Sequence, residues 1–455
     1  MRTHYDVLII GAGMAGLRAA IAAAEEGAEV LILEKMNAPG GNTLISDGAL
    51  AVPGTDIQQA QGVEDSPALL AADMLQAGVT NDEALVRIVS EGARTAFEWA
   101  RSLGIEFQDR ADYFGGHSRP RSHTPREGTT GRPYIRLMKQ RAKQLGVKLL
   151  TKTRVAHLLL DGSRVEGVHT LITNAHGETA KEFRARAVVL ASGGYGADAE
   201  YLGTAVDPRL AELDTTNSPS ATSEVLQAAA AAGAKLIDIE HVQLGAWASP
   251  DEKGFGVGPS FGDYIAFPYG IIVDDSGKRF VNELGDRRVV ADALIAHGRA
   301  AFTIADGVAT ARMGQNLQKA LKKKVIQRFE TIEALADAYG IDADILRETI
   351  QTYNAALVGD IQDPFSKPFP QDAKPLATPP FHAMRLSPKI HHTMGGVAID
   401  TSTRVLRHEG TFENLFAAGE ICGGVHGQSR LGSCALTECL VMGERAGRRA
   451  ASGKR

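Results

Sequence analysis

The sequence predicts an α/β fold in which a mostly parallel sheet, flanked by helices, is interrupted by an inserted α+β segment. Three observations predict it. First, short apolar runs at 5–10, 29–34, 187–191 and 414–418 read as buried parallel strands. Second, the 49 glycines among 455 residues cluster at 11–16, 40–48, 193–196, 395–396 and 419–432, beside those runs. Glycine permits positive φ and close backbone approach, so this clustering suggests a large ligand threaded through several loops. Third, the texture changes between about 238 and 388. There a short strand (270–274) mixes with helical segments (332–338 and 344–355), and prolines and glycines concentrate near 250–270 and 364–380.

Composition narrows the function classes. Hydrophobic residues at 44% and charged residues at 23% are ordinary for a soluble globular chain. A formal charge of −5 gives no general pull toward nucleic acid or anionic membrane. The lysine run 322–324 reads as a solvated helix face. Cys422, Cys434 and Cys439 cannot build a disulfide framework or supply the thiolates of an iron–sulfur cluster. No metal-ligand spacing is present, and no apolar run reaches the ~18 residues of a membrane span. The N-terminal apolar run is too short for a signal peptide, so a cytoplasmic protein without a nucleic-acid partner is expected.

The first strand runs into Gly11-x-Gly13-x-x-Gly16 and then into an alanine-rich helix. Glu34 closes the second strand, 18 residues after Gly16. This is the dinucleotide-binding arrangement: glycines bring the backbone to a pyrophosphate at a helix N-terminus, and the acid takes the ribose hydroxyls. A tight strand–helix turn needs no such glutamate. An acid at that position also disfavours a 2′-phosphate.

Distant segments decide between NAD and FAD. Gly40-Gly-Asn-Thr43 and Ser46-Asp-Gly48 extend the loop after the second strand, and a further strand–loop, Leu415-Phe-Ala-Ala-Gly-Glu420, returns nearly 400 residues later. Segments that far apart converging on one extended dinucleotide favour FAD. The cofactor residues expected are Gly11, Ala12, Gly13, Ala15 and Gly16; Glu34 and Lys35; Gly40, Gly41, Asn42 and Thr43; Ser46, Asp47 and Gly48; Val155 beside adenine; Ser192 and Gly193; and Gly419 and Glu420.

Taken with Ala191-Ser-Gly-Gly194, Gly277-Lys-Arg-Phe-Val-Asn-Glu283, His391-His-Thr-Met-Gly-Gly396 and Gly427-Gln-Ser-Arg-Leu-Gly432, the whole chain resembles the fumarate reductase, succinate dehydrogenase and L-aspartate oxidase flavoproteins. The resemblance implies a discontinuous Rossmann-like FAD-binding domain (1–237 and 389–455) with an inserted α+β cap domain (238–388). It implies that Glu420 holds the ribityl or phosphate side of the flavin. It also implies that Ser433, Ala435 and Leu436 bind the cofactor, the helix from Ser433 aiming its positive end at the reduced, anionic ring. It further implies that His391 and Arg430 hold a substrate carboxylate, and that Arg287 exchanges a proton with substrate carbon. Arg288 adjoins Arg287 where the family has an acid. The expected reaction is hydride transfer between flavin N5 and a CH–CH or C=C bond next to a carboxylate, on a small carboxylate substrate with an external electron donor or acceptor. An amino-acid oxidase, a desaturase of a cyclic keto acid with Tyr264 or Tyr269 as base, and a non-catalytic flavin-binding protein are the alternatives.

The chain also departs from the family. Asn42 stands where the covalently flavinylated members have their histidine, so non-covalent FAD is expected; Arg121-Ser-His-Thr124 only mimics that attachment motif. Gly245 replaces a substrate histidine in Gln243-Leu-Gly-Ala-Trp247, and Ala266 replaces an arginine in the proton relay whose acid is Asp263. Trp247, Phe261, Tyr264, Phe267 and Tyr269 are expected to make one end of the pocket apolar. The segment from Gly115 to Gly131 is expected to line the pocket or a loop beside the flavin, with His117 and His123 as reserve anchors. His392 is expected to pack or to support the site residues from behind, and Cys434 to pack.

Overall fold

The computed structural model describes residues 2–128, 130–175 and 177–452. Its main sheet places the strands in the order Arg404–Leu406, Thr411–Ala417, Gly177–Leu190, His4–Ile10, Val30–Leu33 and Lys148–Leu150. Every neighbouring pair is parallel except the first, and Thr153–Asp161 and Arg164–Asn174 extend the long Gly177–Leu190 strand as an antiparallel meander. The apolar runs form strands because both faces are covered: Val7, Leu8, Ile9, Val188, Val189 and Leu190 are fully buried. Helices Met14–Glu25 and Cys434–Ala451 pack against one another and against that sheet.

The inserted segment builds its own four-stranded antiparallel sheet, ordered Ile271–Asp274, Ala301–Ala305, Phe381–Leu386 and Gln327–Phe329. A separate core forms behind it from Ile271, Val273, Leu335, Leu346 and Tyr353. Arg279 is buried there between Glu283 (2.8 Å) and Asp363 (2.6 Å), and Lys367 Nζ donates to Gly270 O (2.6 Å). This satisfied network gives the Gly277-Lys-Arg motif a structural role.

The segment leaves and rejoins the rest of the chain through a two-stranded ribbon, Val242–Gly245 against Lys389–Thr393. Gln243 faces His392 and Leu244 faces Ile390, so His391 is the extra residue of a β-bulge. A bulge re-aims the side chain it carries. Among the described residues, no helix is long and apolar enough to cross a membrane.

Candidate active site

At the first strand–helix junction the backbone is packed too tightly for side chains. A Cβ on Gly11, where φ is +105°, would lie 2.3 Å from Ala191 O, and one on Gly16 would lie 2.0 Å from Gly11 O. Glu34 is fixed at the end of its strand by the backbone N–H groups of Ala12 and Met36, both at 2.9 Å. Gly13 offers the helix Met14–Glu25 no N-cap side chain; Met14 N donates to Thr43 Oγ1 (3.3 Å), and the start of the helix adjoins the cavity.

That cavity encloses about 1600 Å³ including its mouth. Gly11, Ala12, Gly13, Ala15, Glu34, Lys35, Gly40, Gly41, Asn42, Thr43, Ser46, Asp47, Val155, Ser192, Gly193, Gly419, Glu420, Ser433, Ala435 and Leu436 all line it, as do Arg287, His391 and Arg430. Gly16 and Gly48 do not. Gly16 lets helix and strand touch, and a Cβ on Gly48 would meet Thr130 O at 2.6 Å.

The lining suits FAD. A second uncapped helix, Cys434–Ala451, starts on the same cavity after Ser433, whose φ is +66°. One uncapped N-terminus suits a pyrophosphate and the other an electron-rich ring. Ser192 Oγ is buried there without a partner. Glu420 accepts from Thr393 N (3.0 Å), and burial pushes its carboxyl up.

Asn42 is fully engaged, donating to Asn217 Oδ1 (2.6 Å) and accepting from Ser218 N (2.8 Å). Neither His117 nor His123 reaches the cavity. We therefore expect acid precipitation to release all the FAD into the supernatant. Flavin absorbance retained in the washed pellet would show a covalent link instead.

At the other end, Arg430 (5% exposed) and Arg287 (side chain 11% exposed) meet His391. Arg287 donates to Asp263 Oδ2 at 2.5 Å. Burial raises the Asp263 carboxyl, and Arg287 opposes that rise. Burial, and then the charge of Arg287, lower Arg430 to about 10, so it stays a cation at neutral pH. His391 is held well below its ordinary value by burial, then by Arg430 and Arg287, which keeps the imidazole neutral. Gln243 Nε2 donates to Arg430 O (2.8 Å). Ser429 Oγ donates to Asp286, which caps the helix Arg287–His297, at 2.9 Å. The two arginines thus sit on backbones tied to each other.

Trp247, Phe255 and Pro259 line the same cavity, with Trp247 and Phe255 packed beside His391. The indole is 1% exposed, edge-on to His391 at 5.0 Å and to Phe255 at 5.5 Å. It lies over Gly245, where a Cβ would meet the ring at 3.1 Å. Indole and a side chain at 245 compete for one space.

Several expectations need correction. Phe261 and Phe267 are buried in the core, off the cavity. Tyr264 donates to Asp47 (2.7 Å), and burial and Asp47 hold its phenol well above the ordinary value. Tyr269 pairs with Asp372. Neither tyrosine is placed or tuned as a substrate base. The 115–131 segment packs beneath the site rather than lining it, apart from Thr129, which lies outside the described residues. His117 bonds Gly432 O (2.9 Å), and Arg121 is buried between Asp65 and Asp73. His392 lines the cavity, with Nδ1 3.3 Å from Glu420.

Sequence reading missed Thr216, Asn217, Ser220, Thr222 and Glu224, which also line the cavity. The small-hydroxyl run from Thr215 to Ser223 was the available signal.

A family model for an FAD binding domain matches residues 6–436. The chain belongs to this FAD-binding family. It is 36% identical to the acrylate reductase flavoprotein subunit of Shewanella woodyi, over 97% of this chain and 90% of that protein. It is 34% identical to a urocanate reductase of Eggerthella lenta, over 99% of this chain and 75% of that protein. Among solved structures, the open conformation of a flavocytochrome c3 fumarate reductase superposes with a TM-score of 0.78 at 31% identity, covering 99% of this chain and 78% of that one. Like these relatives, this flavoprotein is an FAD-dependent oxidoreductase acting on CH–CH or C=C bonds.

Proposed function

We propose that this flavoprotein reduces the C=C bond of an enoate bearing one carboxylate and an uncharged apolar or aromatic group at its far end. The observation that supports the reading is the company the cations keep: Arg430, Arg287 and His391 share the cavity with Trp247, which lies over Gly245 and packs on His391, and with Phe255. Fumarate has a second carboxylate, which would be desolvated against indole without a partner. An unpaired buried group of that kind costs on the order of 1–3 kcal/mol or more.

In this reading Arg430 and His391 hold the carboxylate and draw electron density from the double bond. When bound, FAD supplies the two-electron hydride chemistry at one alkene carbon. Arg287 holds the proton for the other carbon, and Asp263, at 2.5 Å, is placed to restore it. The segment 238–388 acts as a cap that completes the site, because Arg287 and Asp263 come from it while His391 and Arg430 do not. The electrons come from an external carrier, in keeping with the Shewanella woodyi relative being a flavoprotein subunit.

The test compares kcat/KM for fumarate with that for a 3-aryl acrylate, using a reduced dye as donor. The aryl acrylate is expected to lead by about tenfold or more. A comparable lead for fumarate would mean that another residue anchors a second carboxylate.

A further inference from the structure

We propose that Thr216 sets the tautomer of His391, presenting the uncharged ring to the substrate carboxylate as a hydrogen-bond donor through Nε2. This rests on the reading of His391 as a carboxylate ligand.

Thr216 is 3% exposed and lines the same cavity as His391, 175 residues away in sequence. Its Oγ1 lies 2.8 Å from His391 Nδ1. A hydroxyl has one proton to give, and the competing acceptor is Ile390 O at 3.2 Å. That carbonyl already accepts from Thr216 N at 2.8 Å and from Asn217 Nδ2 at 3.2 Å, which occupies both of its lone pairs. The Thr216 proton therefore points at Nδ1.

A neutral imidazole carries one N–H, and which nitrogen bears it is decided by the hydrogen bond at the other. With Nδ1 accepting, the ring proton resides on Nε2. That atom makes no hydrogen bond among the described residues, and it is not sealed from the cavity. The opposite tautomer would turn a lone pair toward a carboxylate. The two neighbouring arginines make a third cation unfavourable here, so a directed neutral donor is what this position can supply. The ring plane is fixed by the bulge and by the edge of Trp247 at 5.0 Å.

The experiment is ¹⁵N–¹H correlation spectroscopy of the holoenzyme labelled with ¹⁵N-histidine, without substrate, with the His391 ring assigned by its loss in His391→Gln. The expected wild-type pattern is a protonated Nε2 and a bare Nδ1. Thr216→Val, close to isosteric, should lose that pattern and raise KM by about tenfold or more, with a smaller change in kcat. Thr216→Ser should restore both readouts. A protonated Nδ1 in the wild-type enzyme overturns the proposal, and the spectrum decides this even if Thr216→Val fails to bind flavin. A ring proton that moves in Thr216→Val while KM and substrate affinity stay constant overturns donation to substrate. In that case the role of His391 as a carboxylate ligand fails, while its tautomer assignment stands.

Discussion

Replacing Arg287 by glutamine is expected to lower kcat for enoate reduction by about 10³-fold, with FAD still bound. Among the described residues, Arg287 is the cavity arginine whose guanidinium is hydrogen-bonded to a largely buried carboxylate, Asp263, at 2.5 Å. That pairing gives it a partner for proton exchange; Arg430 donates only to the carbonyl of Leu431 (3.2 Å). Glutamine keeps a donor for Asp263 and roughly preserves the packing beside Phe114, whose ring lies 5.9 Å from the guanidinium. It cannot carry a transferable proton. The expected loss corresponds to about 4 kcal/mol of transition-state stabilisation. KM should change far less, because the carboxylate is held elsewhere. Steady-state rates with a reduced dye, together with the flavin-to-protein absorbance ratio, measure both effects. A kcat within about threefold of the wild type would take Arg287 out of proton transfer.

Arg430→Lys is expected to weaken substrate binding by about 10²-fold, near 2.8 kcal/mol, again without loss of FAD. Two physical effects act in the same direction. A guanidinium offers two parallel N–H donors to a carboxylate, and an ammonium offers a single point of charge. Burial and the neighbouring Arg287 already lower Arg430 to about 10. A lysine starts lower and would lose much of its charge in the same place. The backbone should hold, since Gln243 donates to the 430 carbonyl and Ser429 to Asp286, and neither bond involves the replaced side chain. Titration of the oxidised enzyme with a substrate or inert analogue, followed by flavin absorbance, gives the affinity directly. An unchanged dissociation constant would remove Arg430 from the substrate site.

Features set by neighbours in sequence were legible before the structure. Gly11, Gly13 and Glu34 could be read because one strand–turn–helix–strand unit contains all three, and its hydrophobic periodicity marks where the turn must fall. The same holds for the helix that begins after Ser433. Gly16 is expected at the cofactor; in the structure it lies off the cavity, where a Cβ would meet Gly11 O at 2.0 Å, because spacing identifies a tight junction without saying which glycine faces the ligand. The aromatic residues from Trp247 to Tyr269 read as one apolar wall, yet only Trp247 reaches the cavity, joined by Phe255. Short helical turns at Gly258–Phe261 and Phe267–Tyr269 rotate Phe261 and Phe267 into the core and leave Tyr264 on Asp47.

By itself the sequence determined the α/β class, the FAD-binding frame and the list of cations available for a carboxylate, since each follows from local pattern and side-chain chemistry. Only the tertiary structure decided which of those groups meet and in what state. The pairing of Arg287 with Asp263, the indole over Gly245, the bulge that aims His391 and the Thr216 hydroxyl on its ring depend on tertiary packing. The reason is physical. Desolvation, hydrogen-bond direction and competition for space depend on distances of a few ångströms between residues far apart in sequence, and no local pattern encodes those distances.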